Sequence, residues 1–125
     1  MSFSGSFSIF SSHLSDSGLK GEENSTISMN FTLNENCNLH DELWVIVARV
    51  QKPQEESEPV IERDICTIRN LKDSCESWTS QICSCSKEKG VYTLRKTVEQ
   101  SDNTTWVWRT DPEVAEVTEL AFVVS

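Results

Sequence analysis

Positive charge is scarce in this sequence: 11 Lys and Arg stand against 20 Asp and Glu, for a formal net charge of -9. That argues against a nucleic-acid partner, because a polyanion binder needs clustered Lys and Arg to displace counterions. An anionic membrane surface is disfavoured for the same reason. Long apolar runs are also missing. The longest, residues 43–48 and 120–124, are strand-sized and far short of a bilayer span. With only 4 glycines there is no Gly-rich phosphate loop. The opening MSFSGSFSIFSSHLSDSG has neither a basic start nor a continuous apolar stretch, so it does not read as a secretory signal. Helical periodicity is wanting too. Its best candidate, residues 111–120, places Val114, Val117 and Leu120 only loosely before a β-branched end.

What is present is cysteine, sequons and alternation. Five cysteines, at 37, 66, 75, 83 and 85, include four within twenty residues. That density in a small chain points to disulfides made in an oxidising compartment. Three N-x-S/T acceptors, at Asn24, Asn30 and Asn103, agree with secretion, although 28 Ser and Thr make one or two such triplets expected by chance. Cysteines and sequons together favour an extracellular protein, with Met1 read as the start of a piece cut from a longer multidomain chain. At 125 residues, 37% hydrophobic and 25% charged, the piece is the size of one folded domain.

Period-2 alternation recurs along the chain. In Ile27-Ser-Met29-Asn-Phe31-Thr-Leu33 the apolar side chains share one face, which leaves Asn30 on the wet face where a glycan can be carried. Residues 43–48 (LWVIVA) are apolar throughout, as in a central strand covered on both sides. Residues 51–59 form a polar turn, and 71–89 read as an irregular Ser- and Cys-rich loop. Residues 91–98, 105–110 and 118–124 alternate again, with Trp106 and Trp108 on one face. About seven short strands separated by turns predict an all-β sandwich or barrel. Residues 1–22 are expected to be a loose Ser-rich lead-in with one edge strand near residues 7–10, and residues 23–125 the domain itself.

The stretch Tyr92-Thr-Leu94-Arg-Lys-Thr-Val98-Glu-Gln-Ser-Asp102-Asn-Thr-Thr-Trp106-Val-Trp108 resembles strand E, the corner and strand F of the immunoglobulin superfamily. The closing ELAFVV is similar to that family's strand G. The resemblance implies an immunoglobulin-like antiparallel β-sandwich of about seven strands. It makes Leu94 the buried strand E residue, puts Trp106 in place of the corner tyrosine and Trp108 in place of the second disulfide cysteine. Phe31 (with Met29 as the alternative register) takes the first cysteine's place, and Trp44 takes that of the strand C tryptophan. It further implies that Asp102 pairs with Arg63 at the base of the sandwich. Neither end of the usual inter-sheet disulfide is a cysteine. Aromatic burial, at about 1.5–3 kcal/mol per side chain, is comparable to the roughly 2–4 kcal/mol of a disulfide. There is a weaker similarity of style to the cysteine-modified immunoglobulin-like domains of molluscan immune proteins such as fibrinogen-related proteins.

The chemistry-bearing residues are few. Cys66, Cys75, Cys83 and Cys85 have spacings unlike the paired C-x2-C knuckles of structural zinc sites, so no metal and no cofactor is expected. Two bridges tying down residues 66–85, with Cys37 a further candidate, are the expectation. A bond between Cys83 and Cys85 is disfavoured, because a single intervening residue strains disulfide geometry. His13 lies in the lead-in, and His40 beside Asp41 has no nucleophile elbow or oxyanion turn to serve. The Glu55-Glu-Ser-Glu58 run reads as a solvated turn. Trp44, Trp106 and Trp108 fall at strand positions expected to face inward. Trp78 sits in a polar stretch; it either packs down over the disulfides or is a candidate ligand contact, since tryptophan supplies large rigid area at binding hot spots. The resulting expectation is a non-catalytic extracellular recognition, adhesion or spacer module with a protein or glycan ligand. The alternative is a small disulfide-stabilised inhibitor acting through residues 66–89.

Overall fold

The computed structural model describes residues 5–35, 42–51, 55–72, 74–79 and 81–125. The chain is nearly all β, folded into a sandwich of two sheets. The smaller contains β1 (Gly5–Phe10), β4 (Thr26–Glu35), β9 (Val91–Thr97) and β8 (Cys83–Cys85), in that order. The larger runs β2 (Leu14–Ser15), β3 (Gly18–Gly21), β11 (Thr118–Val124), β10 (Thr105–Asp111), β5 (Glu42–Gln51), β6 (Ile61–Leu71) and β7 (Cys75–Ser77). Strand neighbours are antiparallel except β3 and β11, which are parallel.

The alternation expected of β4 sets its face: Ile27, Met29, Phe31 and Leu33 are all in the core. They meet Leu43, Val45 and Val47 of β5, Tyr92 and Leu94 of β9, and Trp106 and Trp108 of β10. Phe31, Leu94, Trp106 and Trp108 are each fully buried. Trp106 stacks on Phe122 at 4.8 Å, and Phe31 lies 5.2 Å from Tyr92. The Tyr92 hydroxyl donates to Asn70 Oδ1 at 2.7 Å, so β9 of one sheet is tied to β6 of the other. That bond satisfies a polar tip whose ring is in the core.

Three expectations differ from what the chain does. First, the lead-in is woven into the sandwich. Beyond the edge strand β1, which pairs with β4 along its whole length, it crosses to the other sheet, where β3 pairs with β11 and β2 pairs with β3. Gly18 (φ 122°) makes the approach to β11 possible, because a Cβ there would stand 2.5 Å from the Ala121 carbonyl oxygen. Eleven strands are found among the described residues, against about seven expected.

Second, the described part of residues 71–89 is not a loop. It contains β7 at the edge of the large sheet and β8 at the edge of the small one, and so carries the chain across the sandwich. Both disulfides span that crossing: Cys66 of β6 bonds Cys83 of β8, and Cys75 of β7 bonds Cys85 of β8. The first is inside the core, with Cys66 and Cys83 1% and 0% exposed. Strands of three residues are too short to show a period, which is why composition alone reads the segment as irregular.

Third, Asp102 does not meet Arg63, whose guanidinium donates instead to Gln51 at 2.7 Å. Asp102 is wholly buried in the turn between β9 and β10. It accepts from Arg49 Nη1, from Lys96 Nζ at 2.9 Å and from the Glu99 amide at 2.9 Å. Its carbonyl accepts the Trp106 indole N–H at 3.0 Å. The buried carboxylate is therefore paired and hydrogen-bonded on both oxygens, as burial of a charge requires.

Candidate recognition surface

The two outer faces of the sandwich differ sharply in chemistry. On the small sheet, the residues alternating with the core positions of β4 and β9 are Ser28, Asn30, Thr32, Thr93 and Arg95, and Thr93 Oγ1 donates to Asn30 Oδ1 at 3.2 Å. That face is polar, with Ser28, Asn30 and Arg95 exposed. On the large sheet, the residues alternating with Leu43, Val45 and Val47 are Trp44, Ile46 and Ala48, and β10 adds Val107 opposite Ala48. Ile46, Ala48 and Val107 are buried although they lie outside the core.

Long charged side chains cover this outer apolar stripe. Arg109 of β10 reaches across β5 to Glu62 of β6 at 3.2 Å. Arg69 of β6 donates through Nε and Nη2 to the two carboxylate oxygens of Glu42, at 2.9 and 3.2 Å, and lies 3.8 Å from Glu76 of β7. The guanidinium also stands over the Trp44 ring at 5.8 Å. Stems of such side chains shield apolar surface while their heads stay wet. The hydrogen bond from Arg69 and, secondarily, its charge hold the Glu42 carboxyl below its ordinary value. Glu42 correspondingly raises Arg69.

Trp44 is therefore not the core residue that the sequence reading makes it. Six consecutive apolar residues hide the phase of β5, and a shift of one residue sends every side chain to the other face. Pairing with Asp111 and Arg69 fixes Trp44 outward, where it is half-buried. Its partner is Trp78, which follows β7 and is held by its amide bond to the Thr67 carbonyl at 3.1 Å. The two rings meet edge to face with centroids 4.8 Å apart, an arrangement favoured by their quadrupoles. Trp78 is still 67% exposed. Trp44, Arg69, Glu42, Glu76 and Trp78 come from four successive segments and form one corner of the face. The sequence reading marks Trp78 but misses Arg69, Glu42 and Glu76, since pairing across strands, as between Glu42 and Arg69 27 residues apart, leaves no local signal.

The other sequence-marked residues lie elsewhere. Asn24 is exposed in the left-handed region (φ 69°) where β4 begins, and its amide donates to the Val98 carbonyl. Asn103 is exposed at the same end, its Oδ1 accepting the Val124 amide at 3.0 Å. With Asn30 on the small sheet, all three acceptors stand off the tryptophan face. His13 is half-buried in the turn before β2, and Glu55 and Glu58 are exposed in a turn. Cys37, His40 and Asp41 lie outside the described residues. The four cysteines considered as zinc ligands are consumed by the two disulfides. A cleft of about 380 Å³, lined by Lys72, Lys87, Lys89 and the Cys75–Cys85 bridge, opens beside the crossing segment. No helix among the described residues is long and apolar enough to cross a membrane. No family model matches the chain, and no curated protein matches it significantly.

Proposed function

We propose that this chain is an extracellular, immunoglobulin-like recognition module, non-catalytic, that binds its partner with the outer face of the large sheet. The observation that carries the reading is Trp78, a large rigid side chain left two-thirds exposed yet braced against Trp44. Solvent exposure of a tryptophan is costly, and its enrichment at binding hot spots comes from the area it contributes when a partner covers it. Bracing lowers the ordering entropy that binding would otherwise have to overcome.

The immunoglobulin-like assignment is supported by strand order. Taking β1, β4, β9 and β8 as strands A, B, E and D, and β11, β10, β5, β6 and β7 as G, F, C, C′ and C″, gives the two sheets of the variable-type arrangement. The Trp106 indole bonded back to the Asp102 carbonyl, two residues before Trp108, parallels the tyrosine corner of that fold. One departure stands beside these: Trp44 faces outward and is not the buried strand C tryptophan of the resemblance. Extracellular placement is supported by the paired cysteines and by exposed Asn24, Asn30 and Asn103.

The test is a screen of the multimerised domain against extracellular proteins and glycans, with wild type and Trp78→Ala side by side. Loss of a wild-type binder in the variant, with an unchanged melting temperature, is the expected result. Binders retained at full strength by the variant refute the assigned face. Glycopeptide mapping of protein from secreting cells tests the compartment independently.

A further inference from the structure

We propose that the tryptophan face takes a protein partner presenting arginine or lysine side chains, with the open face of Trp78 as their seat. This rests on the recognition reading above and adds the partner's charge. Register places six carboxylates on the outer face of the large sheet: Glu42, Glu62, Asp64, Glu76, Asp111 and Glu119. Three cations share it: Arg69 and Arg109, already engaged with Glu42 and Glu62 respectively, and Lys20 on β3 opposite Val123. Six negative charges less three positive leave the face at -3, on a chain whose total is -9. A field of one sign over a binding face accelerates encounter with the opposite sign and rejects like-charged partners, anionic glycans among them.

The face also contains an example of the chemistry it would offer. Arg69 stacks on Trp44 at 5.8 Å while Glu42 and Glu76 hold its nitrogens. An indole face flanked by carboxylates is a seat for a guanidinium or ammonium group, which the ring quadrupole and the carboxylates attract together. Trp78 repeats the arrangement one strand further out: Glu76 lies two residues before it, its ring is 67% exposed, and no described cation stacks on it. A neutral sugar would use the indole and leave the carboxylates idle. A basic side chain uses both.

The experiment is an NMR titration of the whole chain that follows the Trp78 indole N–H, assigned with Trp78→Phe. The probes are acetyl-Gly-Arg-Gly-Arg-Gly-amide, the same peptide with citrulline for arginine, and the neutral disaccharide N-acetyllactosamine. The arginine peptide is expected to move the Trp78 signal saturably. Citrulline should bind about fivefold more weakly, and Glu76→Gln should weaken the arginine peptide about two- to threefold, in line with exposed cation–π and ion-pair strengths. Equal affinity for the citrulline peptide overturns the proposal, as does an arginine response that leaves Trp78 still. A response to the disaccharide alone also overturns it but keeps the face as a recognition site. Failure of the recognition reading itself is seen separately, in binders that survive Trp78→Ala.

Discussion

The two disulfides close similar loops, yet losing the inner one is expected to cost about twice as much. Chain entropy alone hardly separates them. Sequence separations of 17 and 10 give about 3 and about 2.7 kcal/mol at 25 °C. The second value is an upper figure, because the two loops interleave and residues 75–83, common to both, are already restricted when the first bridge is intact. Burial makes the difference. Cys66 and Cys83 are core residues, whereas Cys75 is exposed and Cys85 half-buried beside the 380 Å³ cleft. Replacing the inner pair by alanine therefore also removes two packed sulfurs from the core, worth about 2 kcal/mol together if each counts as roughly one methylene and its void. The totals are about 5 kcal/mol for Cys66→Ala/Cys83→Ala and about 2.5 kcal/mol for Cys75→Ala/Cys85→Ala. For 125 residues, an unfolding entropy near 0.26 kcal/mol/K turns these into midpoint drops of about 20 and about 10 °C. Thermal melts in a Cys37→Ser background, which removes the fifth thiol, read the comparison. Should the inner double variant not fold, stepwise reduction and alkylation of the wild type gives the same answer, with Cys75 and Cys85 labelled first. An outer pair that costs as much as the inner one, or that resists reduction longer, refutes the reasoning.

Asp102→Ala leaves Arg49 and Lys96 facing each other without their shared buried counter-ion, and urea unfolding is expected to show a loss of about 3 kcal/mol, the lower end for a broken buried pair because Arg49 is partly wet. A loss below about 1 kcal/mol would mean that the carboxylate is not a structural hub. Trp106→Phe is expected to cost more than Trp108→Phe by about 1 kcal/mol, since Trp106 donates to the Asp102 carbonyl while the Trp108 indole N–H has no acceptor among the described residues. Equal losses in denaturant titrations would count against that bond. Glu42, held down by Arg69, is expected to titrate below the ordinary glutamate range in carboxyl NMR and to return to it in Arg69→Gln. Its lowered folded value means that the stability difference between wild type and Glu42→Gln is complete above the unfolded value and disappears as pH falls through the lowered one.

How much of this was legible depended on how many residues each feature spans. The seven alternating residues of Ile27–Leu33 fix both the strand and its buried face, and the same holds for Trp106 and Trp108 of β10. Asp102 is visible as a corner residue, but its partners are not. Arg49 and Lys96 reach it from β5 and β9, and choosing them over Arg63 depends on which strand end closes over the turn. The apolar run at β5 marks a central strand without a phase, so Trp44 is assigned to the wrong face. β7 and β8 fall below the length at which any period shows. The tryptophan corner is the least legible feature, because Trp44, Arg69 and Trp78 become neighbours only after β5, β6 and β7 pair.

The disulfides and the exposed corner share two strands, β6 and β7. On the immunoglobulin-like reading, the centre of the sandwich is filled by Phe31 and Trp108 where a bridge would stand, and the sheets are instead clamped at one side through Cys66–Cys83 and Cys75–Cys85. That clamp fixes β6, β7 and β8 relative to one another. Trp78 lies between β7 and β8, one residue past Ser77, whose hydroxyl donates to the Cys83 carbonyl at 2.6 Å. A three-residue edge strand has too few ladder bonds to hold a side chain in place by itself. Two covalent links around it supply the rigidity that a braced contact residue needs. If the proposed function holds, the cysteines support the face that binds and do not stand in for a central bridge. In this arrangement the segment that looks most loop-like in composition carries three of the four bridged cysteines, Cys75, Cys83 and Cys85.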